Sequence, residues 1–467
     1  MSRTTDGSLN RRRFLQACAA TGCGMAASRG VLAALSPASV EVDLEAREAV
    51  IDLFGEPARL LTYNGLFPGP LLRVREGQTL RVRLTNRLTE PTNLHFHGLH
   101  VSPADNHDNV FLEVPPGESF AYELTVPEGW GGTFWYHPHR HGRLAAQLWQ
   151  GLAGPLLIDP AAPPEALAGI EEQVVLIKDI SVIDGRPEPH HMADWARGKS
   201  GRLVLANGQL RPQLHAKAPL VRLRLINACN ARMLLLARAD GAPLQVIAHD
   251  GHLLEAPRPL PEVLLTPAQR LDLLLALEGD EPIELLHKPY NRGAQREPSR
   301  PEPLFSLRRQ GPATRPVVPA RLTAVERLDA RDALVRRSFK MAMAFLAPDG
   351  QEQLAPIEAR LGDLELWQIT NVDTQDHVFH LHTWPFQVWR RGGEASTDPG
   401  WRDTINLRPG EQVEILIPFR DVAGKSVFHC HIAEHGDAGM MGIIEVGDGG
   451  RAATPSFDYG SSICRAG

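Results

Sequence analysis

Gly77-Gln-Thr-Leu-Arg-Val-Arg-Leu-Thr-Asn86 and Gly362-Asp-Leu-Glu-Leu-Trp-Gln-Ile-Thr-Asn371 are two copies of one segment. Both alternate apolar with polar residues and close on Thr-Asn, the pattern of a half-buried β-strand. The match continues beyond the strand. His95 lies nine residues after Asn86 and His380 nine after Asn371, and His97 and His382 each follow by two. A second pair of segments, Gly132-Thr-Phe-Trp-Tyr-His137-Pro-His139 and Gly424-Lys-Ser-Val-Phe-His429-Cys-His431, repeats in the same order. Pro116-Gly117-Glu118 and Pro409-Gly410-Glu411 precede them. Repeats at this spacing require two copies of one domain. Between them Pro219-Leu-Val-Arg-Leu-Arg-Leu-Ile-Asn227 repeats the strand once more, but Leu236 and Arg238 stand where the histidines would be. The middle copy is therefore expected to be a spacer without metal ligands.

The chain of 467 residues, with 41 Gly and 38 Pro punctuating short alternating runs, fits three all-β sandwich domains. We place the first at 41–160, the second at 171–310 and the third at 335–448, with a tail at 449–467. The stretch 289–320, with seven prolines, reads as an extended linker or exposed loop.

Four clusters, His95-Phe96-His97, His137-Pro138-His139, His377-Val378-Phe379-His380-Leu381-His382 and His429-Cys430-His431 together with nearby His435, hold ten of the 19 histidines. One His-x-His pair commonly lines a polar strand surface. Four clusters from distant segments are what a polynuclear metal site needs. Neighbouring side chains on a strand point to opposite faces. If Cys430 faces one metal, His429 and His431 face another. Cysteine, two histidines and a weak methionine, here Cys430, His435, a further histidine and Met440, suit a mononuclear copper that transfers electrons.

Residues 1–38 read as an export signal. Asn10-Arg11-Arg12-Arg13-Phe14-Leu15-Gln16 resembles a twin-arginine signal before a mildly apolar stretch, which implies the twin-arginine export machinery and a periplasmic or secreted home. Arg29 and the weak hydropathy argue against stable membrane insertion. Losing this segment removes five Arg and one Asp, moving the formal charge from −6 to −10. Such an acidic chain, without a basic patch, argues against nucleic-acid binding. Cys18 and Cys23 leave with the signal. Cys229 reads as a buried residue, and its pairing with Cys464 stays open.

The four motifs, in their order and with every ligand type, closely resemble the multicopper oxidases, the family of laccases and cuprous oxidases. The resemblance implies three consecutive cupredoxin-like Greek-key β-sandwich domains and four coppers per chain. His377, Cys430, His435 and axial Met440 would hold the type 1 copper, and His95 and His380 the type 2. His97, His137, His139, His382, His429 and His431 would hold the type 3 pair. It also implies electron transfer through Cys430, His429 and His431 to the cluster, where dioxygen becomes water. Asp108 matches an acid near type 2 copper in relatives. Many bacterial relatives carry another acid directly after the type 1 histidine, where this chain has Gly436. Glu434 and Asp437 lie nearby, either as relay groups or as solvated loop charges.

Trp135 and Tyr136 are expected to pack the strand, and His100, His107, His141 and His190-His191 to be solvated loop residues. Met341 and Met343 read as core positions rather than a Cu(I) trap. The expectation is a monomeric laccase-like enzyme oxidising phenols or aromatic amines. A cuprous oxidase in copper tolerance, or a copper-free scaffolding relative, is the alternative.

Overall fold

The computed structural model describes residues 39–293, 300–311, 316–398 and 400–447. The signal segment 1–38 and the tail 449–467 with Cys464 lie outside them. No helix among the described residues is long and apolar enough to cross a membrane.

Each repeat copy builds one two-sheet sandwich. In the first, Glu56–Tyr63, Ser39–Leu53, Thr79–Asn86 and Ser119–Thr125 form one sheet. Leu72–Arg75, Gly154–Asp159, Gly132–His137 and His95–His97 form the other. The repeat strand shows why the alternation matters: Leu80, Val82 and Leu84 are buried while Arg81 and Arg83 are exposed. In all three copies this strand runs parallel to the first strand of its domain, pairing Val42 with Val82, Val175 with Leu225 and Phe339 with Ile369. It runs antiparallel to Ser119–Thr125, Arg270–Ala276 and Gln412–Pro418 respectively.

The asparagine closing each copy is a staple. Asn86 Nδ2 donates to the carbonyls of Glu90 and Val114, and its Oδ1 accepts from Leu88 N. Asn227 donates to Arg232 and Leu265 and accepts from Cys229. Asn371 donates to Gln375 and Leu407 and accepts from Asp373. All three are fully buried. Such a side chain both turns the backbone and satisfies buried carbonyls. It fixes the offset from each repeat strand to the next one, His95–His97, Leu234–Arg238 or His377–Leu381.

Three sequence expectations change here. The stretch 289–320 is not simply a linker, because Glu302–Arg309 is a strand between Ile283–Lys288 and Gln213–Ala216. Met343 lies beyond the end of Val335–Met341 and is exposed, while Met341 is in the core. The middle copy also keeps one histidine of the repeat pattern. His287 faces Leu236 as His137 faces His95 and His429 faces His380.

Candidate metal centres

Two centres converge on the third domain. In the first, Cys430 Sγ lies 3.6 Å from His377 Nδ1 and 3.7 Å from His435 Nδ1, and the two nitrogens are 3.3 Å apart. All three residues are buried. Each imidazole is held by its far nitrogen, His377 Nε2 by Asp373 Oδ2 at 2.9 Å and His435 Nε2 by the Ala196 carbonyl at 3.2 Å. These contacts orient both rings so that Nδ1 faces the sulfur. Burial pushes the Cys430 thiol up to about 12, so a thiolate here requires a bound cation. Met440 lies buried in the same core, its N–H donating to His435 O and its carbonyl accepting from Cys430 N.

The second centre draws its candidate ligands from two domains. His139 Nε2 is 3.1 Å and His382 Nε2 is 3.0 Å from His429 Nε2. Further close groups are His95 with His97 and His137, and His95 with His380 and His382. The His431 ring centroid lies 5.0 Å from that of His97 and 5.4 Å from that of His137. As strand alternation requires, Cys430 faces one centre while His429 and His431 face the other. Burial and the neighbouring imidazoles hold His95, His97, His139, His382, His429 and His431 well below the ordinary histidine range, and His137 is brought to about 3. They are neutral, the ligating form.

Buried ring nitrogens without a hydrogen-bond partner include His95 Nε2, His97 Nδ1, His137 Nε2, His380 Nε2, His382 Nδ1 and both of His431. A protein rarely leaves one such atom unsatisfied. This concentration fits a cluster of imidazole-binding metal ions, and with a thiolate site alongside, the donors fit copper.

The residues around the ligands correct several expectations. Asp108 is buried, with Oδ2 2.9 Å from His95 Nδ1 and Oδ1 accepting from Phe96 N. Burial pushes it up to about 8. Glu434 is not a solvated charge: it is fully buried, accepting from Asn230 Nδ2 at 2.8 Å and from His190 Nε2 at 2.9 Å. His190 is thus no free surface residue. His100 is buried as well, with Nδ1 at 2.8 Å from the Thr383 carbonyl and its ring stacked on Trp130. Asp437 accepts from Gly142 N and Ala145 N, tying the ligand loop to the helix Leu144–Trp149 of the first domain. Trp135 packs as expected, stacked on His137 at 4.2 Å. A Cβ on Gly436 would lie 3.6 Å from His429 Nδ1, so this position adjoins the cluster.

Sequence reasoning missed Asp403, whose Oδ1 is 3.2 Å from His97 Nε2 and whose carbonyl is 2.9 Å from His380 Nδ1. It also missed the middle domain's part, which is more than a spacer. Arg270 pairs with Asp403, Asn230 anchors Glu434, and the helix Met192–Arg197 supplies the carbonyl on His435. Arg270 and Asp403 belong to common residue types in segments without metal-ligand spacing, and a carbonyl leaves no sequence signal.

Models of multicopper oxidase domains match residues 46–163 and 329–450. A multicopper oxidase of Staphylococcus epidermidis is 28% identical over 410 residues, covering 83% of each chain. A cell division protein FtsP of Sodalis glossinidius is 27% identical over 476 residues, covering 94% of this chain and 98% of its own. The structure of a multicopper oxidase from Campylobacter jejuni, described as a metallo-oxidase, superposes with a TM-score of 0.80 at 28% identity, over 89% of this chain and 93% of that one. Fold and site together define a copper oxidoreductase. The chain belongs to the multicopper oxidase family, and its three sandwiches are cupredoxin domains.

Proposed function

We propose that this chain is a four-copper oxidase coupling one-electron oxidation of phenols or aromatic amines to four-electron reduction of dioxygen to water. The observation that carries the reading is the convergence of unpartnered buried imidazole nitrogens beside a Cys-His-His centre. His377, Cys430, His435 and Met440 would hold the type 1 copper, His95 and His380 the type 2, and His97, His137, His139, His382, His429 and His431 the type 3 pair. Bound copper supplies electron acceptance at the first centre and dioxygen reduction at the second.

The chain's own residues do the rest. Asp373 and the Ala196 carbonyl fix the rings at the first centre, while Phe379, Phe428 and Ile432 exclude water around Cys430. The peptide units joining His429, Cys430 and His431 give the shortest covalent path between centres. Asp108 is placed to hold a proton at Oδ2 against His95 Nδ1, since burial favours its neutral form while a cation on Nε2 would favour the carboxylate.

Metal analysis and spectra test this reading. Four coppers per chain, with intense blue colour and near-ultraviolet absorption, are expected. A colourless protein without copper after reconstitution would overturn this reading in favour of a copper-free scaffolding role.

For donors, both histidines of the first centre are buried, so electrons would enter through the groups packed around them. The edge of His435 is covered by Ala196, whereas His377 reaches the part-exposed Asp373. Cu(I) is the second reading, because exposed Met343 places Sδ 3.6 Å from Gln375 Nε2, two residues before His377. Steady-state kinetics with a methoxyphenol and with Cu(I), each without added Cu(II), decide the order. A clearly higher specificity constant for Cu(I) makes copper detoxification the role. The Arg11-Arg12-Arg13 segment supports export to the periplasm or medium. Replacing Arg11, Arg12 and Arg13 by Lys should leave the protein inside the cell.

A further inference from the structure

The middle domain, which contributes no ligand in the copper reading above, sends one fully buried arginine to the point where the other two domains meet. Arg270 Nε donates to the Thr133 carbonyl of the first domain at 3.1 Å. Nη1 and Nη2 fork onto Asp403 of the third domain at 2.8 and 2.5 Å. Nη2 also reaches the Asp250 carbonyl at 2.9 Å. A planar guanidinium is suited to hold a carboxylate in one orientation, which an ammonium is not.

Asp403 in turn touches the ligand set. Its Oδ1 accepts from Thr404 Oγ1 at 2.7 Å and lies 3.2 Å from His97 Nε2, and its carbonyl lies 2.9 Å from His380 Nδ1. Thr404 Oγ1 lies 3.2 Å from the same His380 nitrogen. His97 and His380 stack with ring centroids 3.9 Å apart, so whatever fixes Asp403 fixes both rings. The first domain is shaped to admit this arginine. Gly98, next to His97, has φ of +90°, and a Cβ there would overlap the Arg270 guanidinium and lie 2.7 Å from Asp403 Oδ2.

We propose that Arg270 is a positioning residue for the trinuclear centre, holding His97 and His380 in ligating orientation through Asp403. The inference rests on the four-copper reading above. It gives the middle domain a direct part in assembling a site to which it contributes no ligand. Outer contacts of this kind change metal affinity by roughly 10–100-fold when lost.

The test compares the parent with Arg270→Met and Arg270→Lys after copper reconstitution. The readouts are copper content, blue absorbance and the electron paramagnetic resonance signature of type 2 copper. Arg270→Met is expected to keep the blue centre and lose the type 2 signal, with copper falling from four per chain toward three. Arg270→Lys is expected to recover only part of that signal, because the charge returns without the fork. Gly98→Ala should resemble Arg270→Met. If Arg270→Met does not fold, Arg270→Lys carries the test. Four coppers and an unchanged type 2 signature in any folded Arg270 variant would overturn the proposal. A parent protein that takes up no copper would instead overturn the oxidase reading.

Discussion

His287 stands opposite Leu236 in the register that sets His137 opposite His95 and His429 opposite His380. The middle domain therefore keeps one member of the ancestral histidine pattern but not its partners. Among the described residues, no metal-capable group includes His287. Its ring is packed inside the sandwich, where burial, with a smaller contribution from the Arg232 charge, brings it down to about 4.

That burial makes an acid-stability prediction. The unfolded chain protonates this ring near 6.5, but the folded chain does so only near 4. Stability is therefore present above pH 6.5 and lost as pH falls toward 4. His287 should account for roughly 2 kcal/mol of the loss between pH 7 and pH 5. Denaturant unfolding of the metal-free protein at those two pH values measures it. His287→Asn should shrink the pH difference by that amount, and an unchanged difference would show that the ring titrates normally.

The electron path predicts a contrast between two ligand-loop variants. Cys430→Ser should abolish blue colour and turnover, because a hard hydroxyl replaces the thiolate. Met440→Leu should keep the colour and raise the reduction potential, having lost a weak donor. Absorbance and redox titration distinguish them. Phenol oxidation that persists in Cys430→Ser would contradict the assignment of that centre.

Asp108 is bonded to His95 and is the carboxylate that sequence reasoning singled out. With glycine at position 436, it should carry much of the proton delivery. Asp108→Asn should slow oxygen reduction by roughly 10²-fold or more while anaerobic reduction of the blue centre proceeds at the parent rate. Stopped-flow measurement of the two half-reactions checks this. Equal reoxidation rates in variant and parent would remove Asp108 from the mechanism.

The asparagine staples predict a matched stability loss. Asn371→Ala strands the buried carbonyls of Gln375 and Leu407 and should cost about 1–3 kcal/mol in denaturant unfolding. Asn227→Ala in the middle domain should cost a similar amount. Only Asn371→Ala should also shift the blue absorption band, because Gln375 lies two residues before His377. A perturbed blue centre in Asn227→Ala would mean that the staples act beyond their own domain.

The sequence by itself determined the three repeat strands, the asparagine that closes each, and the ligand-bearing segments. All of these are local patterns. Strand alternation sets which side chains share a face, so the opposite directions of Cys430 and its flanking histidines could be read from three consecutive residues. Arg222 and Arg224 mark where this reading stops. Their strand has the same alternation as Arg81 and Arg83, yet they are buried in ion pairs with Asp272 and Glu172, and Arg224 reaches Thr133 of the first domain. Alternation tells one face from the other, but not whether water or another domain covers the polar face. The same limit hid Arg270 on Asp403, His190 on Glu434 and the Ala196 carbonyl on His435. Each joins segments more than 130 residues apart. Each uses a residue type, or a backbone atom, that becomes distinctive only where the domains pack together. The candidate ligands, with Asp373 on His377 and Asp108 on His95, were thus encoded locally, and tertiary packing decided the distant groups that orient the other rings.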